Sequence, residues 1–196
     1  VADQQYPAPD MEPLFRADQL AQGLFDNCFD LLDGPDAPTV NWIELDKEVV
    51  AVLSNKPKES NNENEGYLEE DPIAPASLPQ AQRFYRFEGY IVYQLLDNNV
   101  STSDYTDRDK ARIVAIVDVK NKVSKLYNWK EVRNPGNNKI IYYPEEQIAA
   151  EDKGIRHTFS IKEDEFAQGV SNGLINHKRY YDSVVAYAYN NYQNFY

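Results

Sequence analysis

The sequence predicts a mainly β protein: an antiparallel sandwich with a short N-terminal helix and long loop insertions. Three observations carry that expectation. Six or more segments are rich in β-branched and aromatic residues, and several alternate apolar and polar side chains. Turn-forming residues separate them. Little helical periodicity follows residue 36, which points to strands packing on strands. The chain has 196 residues, 42% of them hydrophobic, enough for a buried core.

In order, residues 1–13 hold three prolines and read as an extended arm. Residues 17–32 read as an amphipathic helix. Leu20, Leu24, Cys28 and Leu31 recur at helical spacing, and Asp33-Gly34-Pro35 stops the run. Residues 1–36 therefore form an arm, helix and linker ahead of a sandwich over 37–196. Strands are expected at 38–45 and 48–54, joined by Asp46-Lys47. Residues 55–82 hold six acids, four Asn and four Pro, and read as a long acidic loop insertion. Residues 84–96 are apolar or aromatic on both faces and suit a central strand. A polar loop over 97–109 leads to strands at 111–119, 123–129, 139–143 and 155–162. One helical turn is expected at 163–168 and a last strand at 178–189.

The formal net charge is −12. Residues 1–80 carry 17 acids against 4 bases, and residues 81–196 carry 15 against 16. The acidity thus lies in the N-terminal part, where it favours solubility. No clustered Lys/Arg face suggests nucleic acid, and no apolar run approaches the ~20 residues of a membrane-spanning helix. A single cysteine, Cys28, excludes an intrachain disulfide and is expected to be a small buried hydrophobe.

Two motifs resemble a fibronectin type III domain. Gly89-Tyr90-Ile91-Val92-Tyr93 looks like the centre of that family's third strand. Leu174, followed six residues later by Tyr180 and then Val184, Ala186 and Tyr187, looks like its loop leucine and the tyrosine opening strand F. The resemblance implies that Tyr90, Val92, Tyr180, Val184 and Ala186 face the core. The wider string, FEGYIVYQL through NHKRYYDSVVAYAYN, resembles a region of very large secreted proteins of Bacteroidetes that end in type IX secretion sorting domains. That implies a secreted or cell-surface location and a modular context. Three features depart from the family. Leu53 or Ser54 stands near the expected strand B tryptophan, Asp182 occupies an apolar position, and no seventh strand follows Tyr189.

Few residues suggest chemistry. Gly169-Val170-Ser171-Asn172-Gly173 fits the G-x-S-x-G pattern, but the strand-to-helix setting and a following acid are not expected there, so it reads as a glycine turn. His157 reads as a core or rim histidine bonded to backbone, and His177 as exposed. Asp97, Asp104, Asp107 and Asp109 share one loop and are the best calcium candidates, without EF-hand spacing. Tyr187, Tyr189, Tyr192 and Tyr196 are candidates for a ligand or partner surface. The expected function is a non-enzymatic structural or interaction module without a required cofactor. It would dock on neighbouring domains of a larger protein or on other surface proteins. The alternative is a glycan- or calcium-binding module.

Overall fold

A computed structural model of the chain describes residues 32–55, 60–71, 74, 77–134, 136 and 139–190, with residues 11, 14, 15, 17, 18, 21 and 22. The expected arm and helix fall mostly outside these, as do Cys28, Tyr192 and Tyr196. Ala17, Asp18, Ala21 and Gln22 have helical backbone.

Among the described residues, nine strands form three antiparallel sheets. They are β1 (Thr39–Leu45), β2 (Glu48–Ser54), β3 (Leu68–Glu70), β4 (Phe84–Leu95), β5 (Ala111–Asp118), β6 (Lys125–Arg133), β7 (Ile140–Ala149), β8 (Thr158–Ile161) and β9 (Tyr181–Tyr189). The first sheet runs β1-β2-β8. In the second, β4 pairs β9 along one edge and β5, with the short β3, along the other. The third sheet is the β6–β7 hairpin alone. Among the described residues no helix is long and apolar enough to cross a membrane.

The first two sheets share one core. Ala51 and Leu53 of β2 and Phe159 and Ile161 of β8 face it from one sheet. Phe87, Tyr90 and Val92 of β4, Val117 of β5 and Val184 of β9 face it from the other. Tyr180 and Ala186 pack against its margin. Alternation puts the core residues of a strand on one face, and in β4 an irregularity between Phe87 and Gly89 lets Phe87 share the face of Tyr90 and Val92.

Several segments differ from the sequence reading. The acidic insertion contains β3 and two 3₁₀ turns, at Glu63–Glu65 and Gln80–Gln82. The predicted 139–143 strand extends to Ala149, because Pro144 and Glu145, which do not read as strand residues, pair with Trp129 and Asn128. Residues 155–157 and 178–180 lie outside their strands. Instead of a helical turn, residues 163–173 form a loop closed by a Glu163–Gly173 bridge.

Gly89 shows how tightly the second sheet is drawn. A Cβ there would stand 2.0 Å from the Val117 carbonyl oxygen and 2.8 Å from the Tyr187 hydroxyl. Tyr187, opposite Gly89 in register, lies across that gap. Gly89→Ala should therefore cost about 1–3 kcal/mol or more in urea unfolding. Wild-type stability would contradict this packing.

Candidate functional site

The end of the sandwich where β4 stops is built by polar contacts between distant segments. Gln94 is buried. Its Oε1 accepts from the Glu165 backbone N–H (2.6 Å), and its Nε2 donates to the Glu163 carbonyl (3.3 Å). Opposite it in register stands Asp182. Burial pushes the Asp182 carboxyl up to about 6, opposed by a hydrogen bond from Gln94. The aspartate at this apolar position thus belongs to a polar cap closing the core.

The connection from β8 to β9 is fastened to the same end. Leu174 is buried, and its N–H donates to the Lys162 carbonyl (3.0 Å). The Tyr180 hydroxyl accepts from the Ile175 N–H (2.8 Å), a backbone tie typical of tyrosines in sandwich corners. Lys178 pairs with the buried carboxylate of Asp164. Asn176 clamps the β1–β2 turn, accepting from the Lys47 N–H (2.9 Å) and donating to Asp46 Oδ1 (2.7 Å). Between turn and connection lies an open cleft of about 840 Å³. Trp42, Leu45 and Ile175 give it exposed apolar walls. Its lining acids, Glu44, Asp46, Glu48, Asp97 and Asp182, outnumber its bases, Lys47, Lys178 and Arg179. An apolar-walled concavity with a polar rim is the usual form of a binding site.

A second polar cluster lies where β5 ends, at Glu88 of β4 and Asp118 of β5. Glu88 and Asp118 are buried. Both Glu88 oxygens accept from the Asn121 side-chain amide (3.0 and 2.8 Å). Asp118 accepts from the Asp152 N–H (2.9 Å), and Asp152 accepts from the N–H groups of Asn121 (2.8 Å) and Lys122 (3.0 Å). These bonds root the β6–β7 hairpin on the second sheet. Burial, with Asp118 and Asp152 nearby, raises the Glu88 carboxyl to about 7 against the opposing Asn121 bond. The Tyr187 hydroxyl is buried without a hydrogen-bond partner and is raised by burial and then by Asp118 and Glu88.

The residues singled out in the sequence are dispersed. Tyr187 folds over Gly89 with its hydroxyl buried, so that hydroxyl is not displayed to a ligand as a surface tyrosine's would be. Tyr189 is half-buried opposite Arg86. Three of the four loop aspartates serve as local caps. Asp97 accepts from the Asn99 N–H, Asp107 from the Asp109 N–H, and Asp104 from the Ser101 N–H and from Lys110 Nζ (2.7 Å). The Lys110 bond, with those from Ser101, lowers Asp104 to about 2. Among the described residues, no three carboxylate, histidine or cysteine groups gather as a metal ion would need. His157 is exposed and bonds the Glu65 carboxylate (2.5 Å), correcting the expected backbone partner. His177 is exposed, and Ser171 is followed by loop rather than helix. The cleft and the hairpin root were both missed. Their only sequence signals are Glu88 within an apolar strand and Asp182 in another.

Compared with protein-family models, curated proteins and solved structures, the chain matches none.

Two outcomes follow from this geometry. Between pH 4.5 and about 7 the folded chain holds a proton on Glu88 that the unfolded chain has lost. Stability from this group is therefore present below pH 4.5 and lost as pH rises through 7. Glu88→Gln should flatten that fall and unfold at higher urea than wild type at pH 8. A variant equally destabilised at pH 5 and pH 8 would contradict the assignment. Leu174→Ala should cost about 2–5 kcal/mol in the same measurement, and a neutral result would show that the β8–β9 connection is not anchored as described.

Proposed function

We propose that this chain is a non-enzymatic interaction module with a fibronectin type III-like sandwich. It forms part of a larger secreted or cell-surface protein and works by docking on neighbouring domains or other surface proteins. The observation that carries this reading is the strand order. In immunoglobulin-like sandwiches the first, second and fifth strands share one sheet, and the third, sixth and seventh share the other. Here β1, β2 and β8 form one sheet, while β4 lies beside β9 in the other. The two motifs of the resemblance fall on β4 and at the entrance to β9. Among the described residues nothing pairs the far edge of β9, the place of the seventh strand.

An open edge is a template for another strand, and proteins that keep one use it or shield it. Main-chain bonding along such an edge gives affinity, while alternate side chains give specificity. The location rests on the resemblance of the FEGYIVYQL and NHKRYYDSVVAYAYN strings to large secreted proteins of Bacteroidetes.

Hydrogen exchange tests the docking. In the isolated chain, the Tyr181–Tyr189 amides that point away from β4 should exchange quickly. In the native assembly recovered from source cells they should be protected. Equal protection of every β9 amide in both preparations would overturn the reading.

A further inference from the structure

Among the described residues, the β6–β7 hairpin is the one sheet without a share in the core. For most of its length it is exposed, and its two strands pack chiefly on each other. A two-stranded ribbon alone is marginally stable in water. This one nevertheless displays apolar residues on both faces. Paired positions share a face, so Val132 and Ile141 stand together with Tyr143 on one side. Trp129, opposite Pro144, stands with Tyr142 on the other. These five side chains are 40% to 48% exposed and lie in the half of the hairpin nearer its tip. No one-sided packing against the sandwich would satisfy both faces.

The charge is as uneven as the hydrophobicity. Residues 129–144, the half of the hairpin nearer its tip, carry three bases, Lys130, Arg133 and Lys139, against one acid, Glu131, net +2, so the rest of the chain carries −14; Lys130 also pairs with Glu145 across the hairpin. The hairpin is rooted where β5 ends, at Asp118 beside Glu88 of β4. The acid-rimmed cleft lies at the Leu95 end. Six residues of strand, about 20 Å, separate the two ends. The cleft offers Trp42, Leu45 and Ile175, exposed by 37%, 53% and 63%. One end thus presents a basic arm with apolar faces, and the other an acidic cleft with apolar walls.

We propose that the β6–β7 hairpin of one copy docks in the end cleft of a second copy, joining chains head to tail. The occupant is a second copy because the same chain carries both halves, complementary in charge and apolar character, at opposite ends. Such a contact is heterologous. It leaves a free arm at one end and a free cleft at the other, and so extends into a chain unless the rotation closes a ring. The inference does not depend on what pairs with β9.

Light scattering after size exclusion, over a range of concentrations, tests it. The arm variant is Val132→Ser with Ile141→Ser. The cleft variant is Leu45→Ser with Ile175→Ser. All four positions are exposed, and circular dichroism establishes that each variant keeps its fold. Lys130→Glu with Lys139→Glu is a second arm variant that leaves the apolar faces intact. Wild type should rise above 22.6 kDa with concentration. Each variant alone should associate at least about tenfold more weakly. An equimolar mixture of arm and cleft variants should stop at twice the monomer mass, because one intact arm meets one intact cleft. A wild type that stays monomeric overturns the proposal. So does a cleft variant that assembles like wild type, which would indicate a hairpin-to-hairpin contact instead.

Discussion

Tyr90 is the largest side chain withdrawn wholly from water, and both sheets close around it. A buried phenol brings much apolar area but also a hydroxyl that must find a partner. Here the hydroxyl accepts from the Asn55 amide (2.7 Å) and donates to the Glu65 carboxylate (3.3 Å). Asn55 directly follows β2, so that bond ties the second sheet to the first. Glu65 also holds His157, just before β8, whose ring lies edge-on to Tyr90 at 6.5 Å. Phe87 packs on the same ring at 4.9 Å. Burial, eased by the Asn55 bond, raises the phenol to about 12, so it stays neutral and able to donate.

From that centre, buried polar groups appear in both directions along β4, at Gln94 one way and at Glu88 the other. At one end Gln94 and Asp182 close the core and receive the β8–β9 connection. At the other, Glu88 and Asp118 receive the hairpin. Each end has buried carboxyl groups held by amide donors, Glu88 and Asp118 at one and Asp164 at the other, while Asp182 Oδ1 is buried without a partner. Such groups stabilise the fold only while their partners stay in place, because an unpaired buried charge is costly. The ends therefore fix where the long excursions leave and rejoin the sandwich, and the cleft and hairpin inherit their positions from that.

Much of the sandwich was legible because burial writes its alternation into the chain. β5 shows it directly, while β2 and β4 read as apolar runs, and the limits of all three agree with the sequence reading to within a residue or two. β3 was illegible, since three residues in a polar loop carry no period. The far half of β7 was hidden by Pro144, Glu145 and Glu146, whose strand conformation comes from pairing with β6. His157 sits at the alternation's apolar phase but just outside β8, where its ring turns to Glu65. The polar clusters were invisible for a different reason. Glu88 meets Asn121 across 33 residues and Gln94 meets Glu165 across 71, and no local pattern encodes such meetings. The aspartates of residues 97–109, by contrast, are close in sequence, and Asp97, Asp104 and Asp107 are bonded within their own loop.

The measurement closest to the centre of this account is a nuclear Overhauser spectrum of the Tyr90 ring. Burial between two sheets predicts cross-peaks from that ring to the Phe87 ring, the Asn55 side-chain amide and the His157 ring together. A Tyr90 ring that shows none of the cross-sheet peaks, with a hydroxyl proton that exchanges freely with solvent, would contradict the sandwich itself.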